Sequence, residues 1–336
     1  MNRRRFLQSA AALATLGIAE FAPWQRVGAF AKELDDFVRG PAVRDIPLRQ
    51  LSKHVWMIYS PDGFPTPENQ GMMCNITFVD TAKGVVVVDS GASVQIGEMA
   101  IRQLKRTLKK PVVAIVNTHY HGDHWLGNDA FATAYKGIPI YAHPGTIREV
   151  RGVQGNLWRT LLEQWTNQAT AGTRVVPPTE PLEHGSELQF GDVTLRMHHY
   201  GKVHTPYDLC VQVVEDNLTC VGDVAMDRRI ANMDDGSYLG TFACYDQLER
   251  SAASRIWLPG HGEPGPGVLK WNRELFEGIY QPCERAVRDG LPLEDAKALV
   301  LKDPRVASRA RETAGFEANI GKYVSLAYLE AEAAGF

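Results

Sequence analysis

The sequence predicts an α/β fold of layered sheets faced by helices, followed by a helical C-terminal part. Three observations predict it. The run Val85-Val86-Val87-Val88-Asp89 is continuous and β-branched, as in a strand buried on both faces. Strand-like and helix-like segments alternate in two successive halves, the pattern of packed sheet and helix layers. Beyond Gly267 the apolar residues recur at helical spacing. Val268, Trp271, Leu275 and Ile279 form one stripe, and Ile320, Tyr323, Val324 and Ala327 form another.

The elements follow in order. His54–Tyr59 and Asn75–Val79 read as strands. Ser60–Gly71 between them holds three prolines and two glycines and reads as a loop. Ser93–Lys109 places Ile96, Ala100, Leu104 and Leu108 on one helical face. Pro111–Val116 is a second buried strand, Trp125–Ala134 a helix and Ile138–Ala142 a strand. Pro144 opens a helix at its first turn. Residues 145–180 read as an insertion with a helical piece at Leu157–Trp165. Strands follow at Glu187–Phe190, Val193–His198, Asp208–Val214 and Leu218–Val221, the last two joined by the turn Glu215-Asp216-Asn217. Arg255–Leu258 is a short final strand, and Pro292 stands where the first turn of a helix accepts it.

Composition narrows the function. Hydrophobic residues are 44% and charged residues 22% of the 336, which suits a folded globular chain and excludes collagen or a disordered tail. The net charge of −3 argues against a nucleic-acid partner. Five cysteines without a CxxC pair exclude a disulfide scaffold and a cysteine-rich zinc module; Cys210 and Cys220 flank a hairpin and read as paired or as free buried thiols.

The N-terminus has the layout of an export signal. Arg3-Arg4-Arg5 precedes an uncharged apolar run from Phe6 to Ile18, shorter than the ~20 residues of a membrane span. Arg3-Arg4 followed by Phe6-Leu7 fits the twin-arginine pattern, and Ala29-Phe30-Ala31 is a small-x-small cleavage site. Residues 1–31 hold four basic and one acidic residue, so a chain starting at Lys32 has 32 basic and 38 acidic groups and a charge of −6. No second apolar run is long enough to span a membrane. The expected organisation is a signal peptide at 1–31, an α/β domain at 42–265 and a helical extension at 266–336.

The chemistry lies in histidines and aspartates. Thr118-His119-Tyr120-His121-Gly122-Asp123-His124 directly follows a buried strand. His119 and His121, two apart in extended chain, point the same way and can share one ion. A turn into helix would aim Asp123 and His124 at a second. His204, Asp223 and His261 each stand in a loop beside a strand, where functional side chains are usually presented. The seven divide into His119, His121 and His204 for one ion and Asp123, His124 and His261 for the other, with Asp223 bridging; two ions ~3.5–4 Å apart form a hydrolytic clamp. His198 and His199 could touch groups behind these ligands. His54, His143 and His184 read as surface or turn residues. Trp125, Trp158, Trp165 and Phe64 line a pocket or fill the core. Gly260–Gly265 fits GxGxxG by chance only, since Pro264 and Pro266 disrupt the helix start a dinucleotide needs.

Val88-Asp89-Ser90-Gly91, the His119–His124 run, His204-Thr205, Gly222-Asp223 and Pro259-Gly260-His261, in this order, resemble the metallo-β-lactamase-fold hydrolase superfamily from about Leu51 to Glu263. The resemblance implies a four-layer αββα sandwich with a dinuclear site at one edge and Asp89 supporting the ligand loop. Asp223 with His124 resembles the glyoxalase-II ligand set. One β-lactamase subclass has cysteine at the place of Asp223, and the flavodiiron type has a carboxylate at that of His121. The signal and the C-terminal Asn319-Ile320-Gly321-Lys322-Tyr323-Val324 resemble exported zinc metallohydrolases of sulfur-oxidation or quinoprotein pathways.

The expected function is an exported hydrolase with two Zn²⁺, Fe or Mn also suiting this nitrogen and oxygen set. A bridging hydroxide, oriented by Asp123, would attack an ester, thioester or amide/lactam of a small-molecule substrate. Two alternatives stand beside it: a mononuclear iron oxygenase of the same fold acting on persulfides, and a non-catalytic metal-binding accessory of a periplasmic redox pathway. If the twin-arginine reading holds, the Arg3→Lys/Arg4→Lys double variant stays in the cytoplasm in cell fractionation. Unchanged export would refute it.

Overall fold

The computed structural model describes residues 38–61, 63–230 and 233–335. The signal segment at 1–31 lies outside the described residues. Within Gly40–Phe336, one compact unit, the strands form two sheets. The first contains β1 (Arg49–Gln50), β2 (Val55–Ile58), β3 (Ile76–Thr81), β4 (Gly84–Val88), β5 (Val112–Val116), β6 (Ile140–Ala142) and β7 (Glu180–Pro181), in chain order. Pairing is antiparallel from β1 to β4 and parallel from β4 to β7. The second contains β8 (Glu187–Phe190), β9 (Val193–His198), β10 (Cys210–Val213), β11 (Leu218–Gly222) and β12 (Ile256–Pro259), ordered β12-β11-β10-β9-β8. Strands β9 and β11 both run against β10, and β12 runs with β11, so all three end at the same edge.

Alternation along β4 builds the layers. Val86 and Val88 face the second sheet and pack with Leu195, Met197, Val211 and Val213. Val85 and Val87 face outward and pack with Ile96, Met99 and Leu104 of α1 (Val94–Thr107), which Ser93 caps by accepting from Ile96 N. On this side follow α2 (Gly122–Trp125), α3 (Asn128–Ala134), α4 (Pro144–Arg151) and α5 (Val153–Trp165). The outer face of the second sheet packs Val221 and Trp257 on α6 (Tyr238–Ser251) and on the start of α7 (Val268–Arg288). Helices α7, α8 (Leu293–Lys302), α9 (Pro304–Ala307) and α10 (Phe316–Ala334) share a further core with Ile230, Met233 and Tyr238. Among the described residues no helix is long and apolar enough to cross a membrane.

Several local expectations need correction. The single helix at Trp125–Ala134 is two short ones, because the chain turns at Gly127 against the Ser90 carbonyl. Helix α6 has no counterpart in the sequence reading; its buried stripe is diluted by Thr241, and Leu239 is exposed. The turn at Glu215–Asn217 is a 3-10 turn over Val214–Asp216 with Asn217 left-handed at φ 52°. Pro292 is the cap before α8 rather than part of its first turn. His54 is buried, not a surface residue: its Nδ1 lies 2.5 Å from Asp216 Oδ1. Trp125 belongs to the core and donates to the Tyr120 carbonyl. All five cysteines, Cys210 and Cys220 among them, are free and buried.

Gly127 admits no side chain, since a Cβ there would stand 2.0 Å from the Ser90 carbonyl oxygen. The same segment holds His124, whose carbonyl accepts from Ser90 N at 2.8 Å. Gly127→Ala should therefore destabilise the fold by ~1–3 kcal/mol, the usual penalty of overpacking. Denaturant unfolding measures it, and an unchanged midpoint would contradict this account of the turn.

Candidate metal centre

The C-terminal ends of β4, β5, β9, β11 and β12 supply the polar groups of one buried cluster. After β5 the chain stays extended through His119 to His121, which has φ −70° and ψ 135° and opens α2. The turn into helix sends Asp123 and His124 in a second direction. His119, His121 and His204 lie with ring centroids 4.7–5.0 Å apart and nearly perpendicular planes. With Asp223 they form a set whose ligand atoms all lie within 4.8 Å of one another; Asp123, His124 and His261 form a second such set. Asp223 touches both: its Oδ2 is 3.5 Å from His204 Nε2 and 3.3 Å from His261 Nε2, and its Oδ1 is 3.4 Å from His124 Nε2. Gly260 permits this approach, since a Cβ there would stand 2.3 Å from Asp223 Oδ1.

The rings are aimed from behind. Asp89, buried and left-handed at φ 56°, accepts from Thr118 N and Thr118 Oγ1 and from His124 Nδ1. The Thr118 hydroxyl gives its proton to Asp89, so it accepts from His119 Nδ1 at 3.0 Å. His261 Nδ1 donates to the Met73 carbonyl at 2.7 Å. With Nδ1 committed to a partner behind it, each of these three rings turns its Nε2 toward the cluster. Asp208 closes the loop of His204 by accepting from His204 N, Thr205 N and Thr205 Oγ1. Burial raises the Asp208 carboxyl to about 7. His199 Nδ1 donates to the Asp208 carbonyl, whereas His198 is satisfied by Tyr200 and Gln212 away from the cluster. His143 caps α4, and His184 is exposed.

The residues fit divalent ions. His119 Nε2, His124 Nε2 and Asp223 Oδ1 are buried and have no hydrogen-bond partner, a condition that native interiors rarely tolerate. Burial lowers His121 to about 4 and His204 to about 3, which keeps both neutral. Burial pushes Asp123 and Asp223 up, but His124 and His261 outweigh it and hold both carboxyls well below their usual range. Beside the cluster is a cavity of about 340 Å³ whose lining includes His121, Asp123, His204, Asp223 and His261. Phe64, Trp158 and Trp165 line it too, and the Trp158 ring lies 4.7 Å from that of His121.

The sequence model of the metallo-beta-lactamase superfamily matches residues 69–277. The chain belongs to this superfamily. It is a metal-dependent hydrolase with the αββα sandwich of the group. It is 22% identical to the metallo-beta-lactamase type 2 of Bacillus sp. (strain 170), over 82% of this chain and 100% of that protein. A metallo-beta-lactamase type 2 of Bacillus cereus is 24% identical over 69% of this chain and 83% of its own. A linear primary-alkylsulfatase of Pseudomonas sp. is 21% identical over 68% of this chain and 50% of its own. Among solved structures, a metallo-beta-lactamase from Pontibacter korlensis superimposes with a TM-score of 0.54 at 19% identity, covering 69% of this chain and 99% of that one.

The structure brings all seven sequence-derived residues together, with Asp89 behind them. Sequence reasoning missed the Thr118 relay, the Met73 carbonyl and the cavity residues Arg229, Asn319 and Lys322. The geometry separates the two supports. Asp89→Ala unpins His124 directly and His119 through Thr118, so it should weaken both ions ~10–100-fold. Thr118→Val unpins His119 alone and should weaken one. Chelator-competition titration reads both, and equal losses in the two variants would contradict the relay.

Proposed function

We propose that this superfamily member is an exported dinuclear zinc hydrolase that opens an ester, thioester or amide/lactam bond of a small-molecule substrate. The observation that carries the reading is Asp223. One ionised carboxylate lies between two complete ligand sets, with an oxygen toward each and Oδ1 unsatisfied. A mononuclear centre would leave Asp123, His124 and His261 without a task. Imidazole and carboxylate donors without thiolate suit zinc. Export rests on the Arg3-Arg4 signal pattern.

When bound, two such ions would polarise the scissile carbonyl and lower the pKa of a bound water to about 7. The chain's own groups do the rest. His121 and His204 stay neutral through burial and so remain available as donors. Asp123, ionised and with Oδ2 3.2 Å from His261 Nε2, lines the cavity and is placed to orient the attacking water and hold its proton. The Trp158 ring against His121 keeps that side of the cluster dry. Asp223 fixes the spacing of the two ligand sets.

Protein purified from a zinc-replete host should hold close to two ions per chain by elemental mass spectrometry. A panel of esters, thioesters, lactams and a primary alkyl sulfate should show turnover that a chelator abolishes and zinc restores. On the substrate so found, Asp223→Ala should lose at least ~10³ in kcat/KM, about 4 kcal/mol, with circular dichroism unchanged. Near-normal turnover in that variant, or turnover indifferent to chelation, would overturn the reading.

A further inference from the structure

The outer face of α10 carries a patterned stripe that the fold leaves open. Its inner face is spent on the core, where Ile320, Tyr323, Val324, Ala327 and Ala331 are buried. On the opposite face Lys322, Ser325, Leu329 and Glu332 recur at steps of three and four residues, over about three turns. Leu329 is 60% exposed. Leu326 and Leu329 line, with Met233 and Tyr238, a surface groove of about 300 Å³. Leu239, 44% exposed, follows Tyr238 directly at the start of α6. A single exposed leucine is ordinary. Leucines gathered around an open groove mark a contact surface.

Charge decides what can cover it. The stripe is basic at one end, at Lys322, and acidic at the other, at Glu332. Glu330 is turned toward α6 and accepts from Ser237 Oγ and Tyr238 N. Lys322 keeps only a surface pairing with Asp234 at 3.5 Å, with both side chains more than half exposed, so it is free to exchange partners. A second α10 laid parallel would set lysine on lysine and glutamate on glutamate. Laid antiparallel, with a two-fold axis at the level of Ala327, it sets each Lys322 against Glu332 of the other copy and each Leu329 against its Ser325. Ser325 is small enough to admit the leucine. Its hydroxyl already donates to the Gly321 carbonyl at 3.0 Å, so the pairing strands no polar group.

We propose that the outer face of α10 is the two-fold interface of a homodimer, in which a second copy of this chain packs antiparallel on the stripe and covers the groove. The stripe is self-complementary in both charge and size, which is what an isologous contact requires. Lys322 also lines the cavity beside the ligand cluster, so the second copy stands at the edge of that cavity. The inference does not depend on the hydrolase reading.

Sedimentation velocity on the metal-loaded protein, from ~1 to ~100 µM, reads the association. Wild type should pass from one chain mass toward two across that range. Leu329→Glu, at an exposed position, should weaken the dimer at least ~10-fold at unchanged circular dichroism. Lys322→Glu and Glu332→Lys each turn two attractions into two repulsions and should weaken it as much. Mixed with each other, these two variants should associate again, since each lysine then meets a glutamate. The double variant Lys322→Glu/Glu332→Lys should regain self-association. Should Leu329→Glu not fold, the charge variants alone carry the test. A wild type that stays monomeric at ~100 µM would overturn the proposal. So would a dimer indifferent to Leu329→Glu, a double variant that does not regain association, or species that grow beyond two chains, which a closed two-fold contact forbids.

Discussion

The buried carboxylate of Asp89 ties the two halves of the site to the sheet. It stands in a left-handed conformation at the end of β4 and accepts from the backbone and hydroxyl of Thr118 at the end of β5. It also accepts from His124 and, through Thr118, orients His119. One group thus aims a histidine of each ligand set. Around it the two sheets bury valines on both faces, so the strand ends cannot drift relative to one another. Five of the seven cluster residues stand on loops beside strand ends and two, Asp123 and His124, in the first turn of α2.

Much of this was legible because its cause is local. The valine run of β4 is a fully buried strand in any context. The spacing of His119, His121, Asp123 and His124 encodes an extended stretch followed by a helical turn, and the structure has that turn at His121. What the sequence hid depends on distant packing. The break between α2 and α3 follows from the contact of Gly127 with Ser90, 37 residues earlier in the chain. His54 reads as a surface residue until Asp216, 162 positions away, is placed beside it. Arg229 follows another arginine and has no periodic signal; only its burial without an acceptor sets it apart.

The helical C-terminal part has a structural role and a chemical one. Its helices share a core with Ile230, Met233 and Tyr238, which flank the segment after Asp223. Glu330 of α10 reaches back to α6, accepting from Ser237 Oγ and Tyr238 N. The same helix contributes Asn319 and Lys322 to the cavity wall. The sandwich therefore supplies the metal-binding chemistry, while the extension shapes the space in which a substrate lies. That division accounts for motifs that specify the superfamily while leaving substrate choice to residues outside them.

Asp223 is the proposed bridge between two ions held by separate ligand sets. Anomalous diffraction at the zinc edge, from crystals of the zinc-loaded protein, tests it most directly. The expected result is two peaks ~3.5–4 Å apart: one among His119, His121 and His204, the other among Asp123, His124 and His261, with one Asp223 oxygen bound to each. A single peak, or two peaks with Asp223 bound to neither or only one, would contradict it.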